Sequence, residues 1–388
     1  MTYSIPTHLI YRHYGPVTVV VNNQSKNMLF LSDSAQEIWV RLLNHKDWKL
    51  EDIDVLQRLS TLGFVDNGYP KNTIPEKVSS KSITIQPSPS SAINLWSFRN
   101  NIPLSGHFEL TGRCNLRCRH CYCTFKEKQD KLSTQDVFHI IDDLHDAGTL
   151  GLVLTGGEIF TRPDIEEILL YLQERGFIIR INTNGTLIKP QTLHLIAALT
   201  NIYRIHVSLY GADADIHDAI TKVKGSFKKT QASLIALKDA GHDVRVNCSI
   251  LRTNVASYQD VRTKIGDSLG IPVRFDPFIF PKDDGSLDNL SEMISEEMLA
   301  EYDLYNERTE TLEPKKPKLC KAAFSFFSID ETGKVYPCLK MKKSMRCPLG
   351  TVPQQRFIDI WKSSKQVQEI RVKLENRLRN CSVCDLDI

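Results

Sequence analysis

Short β-branched runs alternate with longer amphipathic stretches through the middle of the chain. Residues 107–111, 151–155, 177–182, 203–209, 244–251 and 273–277 read as strands, being brief apolar runs bounded by Gly, Pro or Asn. Residues 134–147, 163–175, 190–199, 226–240 and 256–269 repeat their apolar positions at helical spacing. Pro163 falls early in its helix, where a missing N–H is tolerated, and Gly241 and Gly270 end two of the others. Such alternation predicts an α/β fold with a parallel sheet and right-handed crossovers. Six units fall short of the eight that close a barrel.

The flanks follow other patterns. Residues 17–21 are a β-branched run, residues 22–25 carry turn chemistry, and residues 28–31 read as a second strand. Ser32, Asp33 and Ser34 signal a helix start. The helix that follows, 35–43, puts Ile38, Trp39 and Leu42 on one face, and a second helix at 50–62 aligns Ile53, Leu56, Leu59 and Leu62. Two strands followed by helices predict a winged-helix-like module over residues 1–66, a marginal size for folding alone. Residues 67–103 are rich in Pro and Ser and read as a linker, with Ile83-Thr84-Ile85 strand-like. Residues 104–310 form the alternating core and 311–388 a smaller C-terminal region.

Composition narrows the class. The chain has 388 residues, 41% hydrophobic and 24% charged, with a net charge of +3. That is an ordinary globular balance, and it makes no case for nucleic acid. No apolar run reaches transmembrane length and no secretory signal opens the chain, so the expected compartment is the cytoplasm, where thiols stay reduced. The ten cysteines cluster at 114–123 and 320–384, with Cys248 alone between them.

Cys114, Cys118 and Cys121 form C-x₃-C-x₂-C in the loop after the first core strand. Three thiolates can hold three irons of a [4Fe–4S] cluster and leave the fourth open to a small molecule. A structural zinc site would more usually show paired C-x₂-C or His spacing, and a disulfide framework does not suit a long chain without a signal peptide. The spacing and its flanks resemble the signature of the radical S-adenosylmethionine (radical SAM) enzymes. The resemblance implies a partial, open (β/α)₆ TIM-like barrel, with the cofactor's amino and carboxylate groups on the open iron.

Functional groups of α/β barrels gather at the C-terminal ends of strands. Gly156-Gly157-Glu158 follows the second strand and resembles the family's motif for the cofactor's amino group, though alone it reads as a turn. Asn182-Thr183-Asn184-Gly185 also reads as a turn; by resemblance, Thr183 or its neighbours face the cofactor's ribose or sulfonium. Ser208 matches the family's cofactor-binding serine, whereas Tyr210 replaces the usual acidic residue. Lys222 or Lys224 is a candidate partner for the cofactor's carboxylate, against the plain reading of solvated lysines. Asn247 and Arg252 are further candidates. Tyr122 fits the aromatic expected beside the adenine, or else covers the cluster as a core residue, and Cys123 reads as structural.

The second cysteine group holds Cys320, Cys338, Cys347, Cys381 and Cys384. Residues 326–330 and 334–336 flank a turn and predict a hairpin. Two thiolates at a hairpin plus a distal C-x₂-C make a four-thiolate site, for zinc or for [4Fe–4S]. The region resembles the SPASM region, or its shortened twitch form. That implies one auxiliary [4Fe–4S] cluster on Cys320, Cys338, Cys381 and Cys384, with Cys347 a spare.

The N-terminal module resembles the peptide-binding winged helices of ribosomal-peptide maturases, where a leader peptide adds as a strand to a sheet edge. A DNA-binding or dimerising module is the plainer reading. Together the resemblances imply an oxidoreductase that modifies a precursor peptide by hydrogen abstraction with a 5′-deoxyadenosyl radical, fed by a donor such as flavodoxin or ferredoxin. A Cys-to-Cα thioether, as in sactipeptides, is the first expectation. Carbon–carbon crosslinking, epimerisation, small-molecule dehydrogenation and a non-catalytic iron–sulfur regulator are the alternatives.

Overall fold

The computed structural model describes residues 3–15, 17–44, 52–66, 90–124, 129–302, 318–342, 348–374 and 378–379. The chain opens with β1 (Leu9–Tyr14), β2 (Val17–Asn22), β3 (Asn27–Ser32), α1 (Asp33–Leu43), α2 (Ile53–Thr61) and α3 (Ser90–Arg99). The core runs β4 (Ser105–Glu109), α4 (Thr134–Asp146), β5 (Gly151–Thr155), α5 (Ile165–Glu174), β6 (Ile178–Thr183), α6 (Pro190–Ala198), β7 (Ile202–Ser208), α7 (Ala214–Thr221), α8 (Ser226–Asp239), β8 (Val244–Ser249), α9 (Asp267–Leu269) and β9 (Val273–Asp276). Then follow α10 (Glu296–Glu301), β10 (Lys318–Leu319), β11 (Phe326–Ile329), β12 (Lys334–Tyr336), α11 (Leu339–Lys342), β13 (Gly350–Thr351), α12 (Phe357–Ser363), α13 (Lys365–Leu374) and β14 (Leu378–Arg379).

Strands β4 to β9 form the expected six-stranded parallel run, each paired with the next in sequence. Their outward residues, among them Phe108, Leu152, Ile179, Val207 and Val246, are sealed under the helices in the main hydrophobic cluster. α4 starts with a capping box between Ser133 and Asp136. The expected hairpin exists as β11 and β12. Its placement was not expected: β11 adds parallel to β4, with Phe326 opposite Ser105 and Ile329 opposite Phe108. The C-terminal region thus extends the barrel sheet, ordered β13-β12-β11-β4 through β9.

The N-terminal unit differs from the expectation in having three strands, in the order β1-β2-β3. The additional strand is β1, whose apolar run is interrupted by Arg12 and His13. One sheet face (Leu9, Val20, Leu29, Leu31) packs on Ile38, Trp39, Leu56 and Leu59 of the helices. The other face (Ile10, Val19, Val21, Met28) packs on Ile93, Leu104, Leu150 and Ile178. All of β2 is therefore buried. The unit is bolted to the chain segments that enter the core strands. Arg12 donates to the carbonyls of Thr149 and Gly176, at 3.2 and 3.1 Å, and Tyr14 to that of Gly148 at 2.8 Å. Asn23 donates to the carbonyls of Thr200 and Ile202, and Lys26 to that of Tyr203.

Part of the expected linker is helix α3, whose Ile93 is buried and whose Trp96 meets Tyr14 and Phe30 edge-on. Its Ser-rich start masked the helical spacing. Ile83-Thr84-Ile85 lies outside the described residues. The expected helix at 256–269 is a π-helical stretch, Val261–Gly266, running into α9. α7 was not anticipated; Asp213 caps it by accepting from Ile216 N.

Gly106 sits where β11 meets β4, and a Cβ there would come within 2.4 Å of the Phe327 ring. Gly106→Ala should destabilise the protein by about 1–3 kcal/mol, the usual cost of overpacking a core. Urea denaturation followed by circular dichroism checks this, and an unchanged midpoint would mean that Phe327 yields freely.

Candidate active site at the C-terminal end of the barrel

The cysteine loop follows β4 directly and is pinned from three sides. Arg113 pairs with Asp130 at 2.7 Å and also donates to the Thr161 carbonyl at 2.6 Å. Thr111 donates to Asp130. On the far side, the backbone N–H groups of Arg117 and Arg119 donate to the carbonyls of Thr221 and Ile220, at the end of α7.

The third brace is the glycine pair. Gly157 N donates to Thr111 O and Glu158 N to Arg113 O, both at 2.8 Å. A Cβ on Gly156 would lie 2.3 Å from Thr111 O, and one on Gly157 would lie 2.1 Å from Arg113 O. Gly156 also has φ +138°, a conformation side chains rarely adopt. Only glycine lets the two backbones lie this close.

Glu158 is buried, at 1% exposure, and both its oxygens are engaged. It accepts from Thr183 Oγ1 at 2.8 Å, Asn184 N at 2.6 Å and Phe160 N at 3.2 Å. Burial pushes its carboxyl up to about 7, against the pull of these donors. Asn184 then connects outward: its amide donates to Asn115 at 3.0 Å and points at Cys114 Sγ at 3.9 Å. Of Thr183 and its neighbours, Thr183 binds Glu158, while Asn184 and Thr186 join the turn to the cysteine loop through Asn115.

The three cysteine side chains are half-buried. Burial, offset by the Leu116 N–H, raises the Cys114 thiol to about 11, with Glu158 and Cys121 adding to the rise. Burial first, then Cys121 and Cys114, push Cys118 well up. The three thiols therefore sense one another's charge. Among the described residues no group of three His, Cys, Asp or Glu side chains is gathered as for a single metal ion. The donor set, three mutually coupled thiols on one braced loop beside a side-chain-free glycine cradle, suits a cluster that takes thiolates and displaces their protons.

Tyr122 turns its hydroxyl to Glu109 at 3.1 Å, and Lys342 of α11 pairs with the same carboxylate at 2.6 Å. Glu109 is raised by burial and lowered by Lys342. Burial pulls Lys342 down, but Glu109 and Glu331 outweigh it and hold it up. This ion pair joins the end of β4 to the turn carrying Cys338, which is buried and accepts from Met341 N at 3.3 Å. Cys320 is half-buried near it in one hydrophobic cluster. Cys347, Cys381 and Cys384 lie outside the described residues.

Ser208 ends β7 and borders the barrel cavity together with Tyr210, to which it is hydrogen-bonded. Tyr210 meets His120 edge-on at 4.7 Å and packs with Cys118. Lys222 is an exposed left-handed residue capping α7, beside the carbonyl that holds Arg117. Lys224 is exposed too, and Arg252 is an exposed residue on the Met293 carbonyl, away from the cavity. Cys123 is hydrogen-bonded to Cys121. Asn247 does face the cavity, together with Arg180, His206 and Arg274, which the sequence reading missed. Their signal was a period-2 alternation of polar and apolar residues within buried strands, Arg180 and Asn182 on β6 and Arg245 and Asn247 on β8.

The radical SAM superfamily profile matches residues 108–257, and that of SPASM, an iron-sulfur cluster-binding domain, matches residues 320–385. The chain is 31% identical over 225 residues to the antilisterial bacteriocin subtilosin biosynthesis protein AlbA of Bacillus subtilis, across 58% of this chain and 46% of AlbA. The chain thus spans a little under half the length of that relative. It is 27% identical over 318 residues to the AdoMet-dependent heme synthase of Methanosarcina barkeri, across 74% of this chain and 89% of the synthase. Its fold is similar to the crystal structure of Streptococcus suis SuiB bound to precursor peptide SuiA, with TM-score 0.61, 16% identity, and 95% and 90% of the two chains covered.

Residues 108–257 thus form a radical SAM domain and residues 320–385 a SPASM region, and the protein is an enzyme. Its cofactors are [4Fe–4S] clusters and S-adenosyl-L-methionine. No helix of the described residues is long and apolar enough to cross a membrane.

The raised Glu158 carboxyl has a pH consequence. Its folded pKa lies above the unfolded value, so the stability it contributes is present at low pH and is lost as pH rises from about 4.5 to about 7. Without S-adenosylmethionine, the wild type should lose about 2–3 kcal/mol relative to Glu158→Gln between pH 5 and 9. Urea midpoints across that range check it, and a constant difference would show that Glu158 keeps an ordinary pKa.

Gly157→Ala should push the cysteine loop off its cradle. After anaerobic reconstitution we expect at least a several-fold loss of the S-adenosylmethionine-responsive cluster signal in electron paramagnetic resonance. Full retention would mean that the loop tolerates the displacement.

Proposed function

We propose that the enzyme matures a ribosomally made precursor peptide, forming a thioether between a cysteine sulfur and an α-carbon. The observation that carries this reading is the N-terminal sheet. It is fixed to the barrel, and its edge strands β1 and β3 pair with no further described strand. Such edges accept an extended peptide by backbone hydrogen bonding. The likeness to SuiB covers 95% of this chain, and AlbA is a bacteriocin biosynthesis protein. Residues 1–66 would hold the leader, and a cytosolic flavodoxin or ferredoxin would supply electrons.

Cys114, Cys118 and Cys121 would ligate the cofactor-binding cluster, and Cys320, Cys338, Cys381 and Cys384 one auxiliary cluster. When bound, the cluster and S-adenosylmethionine supply a 5′-deoxyadenosyl radical for hydrogen abstraction. The protein's part is to hold and to exclude. The backbone of Gly156 and Gly157, with Glu158, Thr183, Ser208, Lys222 and Tyr122, would position the cofactor over the barrel mouth. The buried Glu109–Lys342 pair keeps the cysteine loop and the Cys338 turn in fixed relation. One hydrogen would pass to the 5′-deoxyadenosyl group, the thiol proton would leave to solvent and the remaining electron would go to the auxiliary cluster, so the sulfur–carbon bond would form with net loss of two hydrogens from the peptide.

Anaerobically reconstituted protein with a strong reductant should cleave S-adenosylmethionine to 5′-deoxyadenosine, and Cys118→Ala should abolish this. Co-expression with a short peptide encoded beside the gene should lighten that peptide by about two mass units per crosslink, the loss of two hydrogens. No cleavage by cluster-loaded protein overturns the enzymatic reading. Equal processing of leader-free peptide overturns the role given to residues 1–66.

A further inference from the structure

Arg371, on the inner face of α13, is a buried cation that the active site described above does not use. It is 8% exposed. Ile370 and Leu374, which flank it on that face, pack in one hydrophobic cluster with Cys320 and Cys338. Its Nε–H donates to the Ala323 carbonyl at 2.7 Å, and its guanidinium lies 5.1 Å from the centre of the Trp361 ring. Its Nη2 has no hydrogen-bond partner among the described residues. Burial lowers its pKa to about 10, and no carboxylate among those residues opposes that pull. The group still carries its charge at neutral pH.

A guanidinium taken out of water is costly unless an anion or a full set of acceptors meets it. Lys342, four residues after Cys338, is met in this way by Glu109 and Glu331. Arg371 is met by one carbonyl and an aromatic face. The turn it holds begins at Cys320 and is tight. The N–H groups of Phe324 and Ser325 both donate to Lys321 O at 3.0 Å, and Ala323 has φ +62°, where side chains are rarely found. The cation is thus fixed against the turn that carries one thiol of the C-terminal group, in the layer where a second also packs.

We propose that Arg371 supplies the positive charge that compensates the auxiliary cluster and raises its reduction potential, fitting it to accept the electron left by oxidation of the substrate. The inference rests on the assignment of Cys320, Cys338, Cys381 and Cys384 to that cluster. Four thiolates outweigh the positive charge of an iron–sulfur core, so the cluster is anionic and becomes more so on reduction. A fixed cation in a poorly screened interior favours the more negative, reduced form. Arginine suits the place better than lysine, because its charge is delocalised, weakly hydrated and able to stack on an aromatic face. The electron that enters is the one the peptide gives up as its sulfur–carbon bond closes.

Redox titration of the full-length, cluster-loaded protein, read by electron paramagnetic resonance, tests this. The auxiliary signal is the part that S-adenosylmethionine does not shift. Arg371→Met removes the charge and keeps the bulk, whereas Arg371→Gln removes the charge but keeps an N–H for the Ala323 carbonyl. In both, the ratio of reduced to oxidised auxiliary cluster at a fixed potential should fall roughly tenfold, a midpoint lower by about 59 mV for one electron. Arg371→Lys keeps the charge and should stay within about threefold of wild type. A wild-type midpoint in either neutral variant overturns the role of the charge and leaves Arg371 an anchor for the Ala323 turn. A fall in Arg371→Lys as large as that in Arg371→Gln overturns it too. Should Arg371→Met not fold, the Gln and Lys variants carry the same comparison. A wild type with no signal beyond the one S-adenosylmethionine shifts overturns the cluster assignment itself, a failure distinct from an unchanged midpoint.

Discussion

The active end depends on one close approach, the backbone of Gly156 and Gly157 lying against the backbone of Thr111 and Arg113. Two hydrogen bonds of 2.8 Å hold the contact, and absent side chains permit it. Everything around it follows. The cysteine loop cannot drift, because its start is held there, by Asp130 and by Thr161. The strand that supplies the glycines also aims Glu158 inward to organise the next turn through Thr183 and Asn184. A carboxylate that might have been a free ligand is, in the protein's own structure, the clasp between two adjacent strand ends.

A second constraint links that end to the C-terminal region. The parallel pairing of β11 with β4 and the buried Glu109–Lys342 ion pair act on the same strand. Breaking a buried pair from one side is strongly destabilising, so this joint is stiff. The turn bearing Cys338 and the loop bearing Cys114, Cys118 and Cys121 consequently behave as parts of one sheet rather than as separate lobes. Redox groups held there would keep a fixed separation through the catalytic cycle.

Much of this was legible in the chain. The six strands announced themselves by apolar runs between turn signals, and C-x₃-C-x₂-C, Gly-Gly-Glu and Ser208 each fell at a strand end. What escaped notice did so for physical reasons. β1 carries Arg12, whose guanidinium is hydrogen-bonded not locally but by carbonyls more than a hundred residues away. α3 draws its burial from the barrel, not from its own periodicity. The β11–β4 pairing is a long-range choice that no local pattern encodes. Arg180, His206 and Arg274 look like ordinary polar positions until the sheet curls and places them in one lumen. Arg252, a candidate in the sequence, is held at the surface by the Met293 carbonyl.

The N-terminal sheet grips the segments just before β5, β6 and β7, while the cysteine loop lies where β4 ends. The N-terminal sheet and the cysteine loop therefore lie at opposite mouths of the barrel. A core strand such as β6 has six residues and stands roughly 20 Å tall at strand rise. A peptide anchored on an edge of that sheet would have to run past at least this height before reaching the lumen. The barrel's height then acts as a ruler: the spacer between anchor and target needs roughly six extended residues or more, and its length, as well as its sequence, selects which residue is reached.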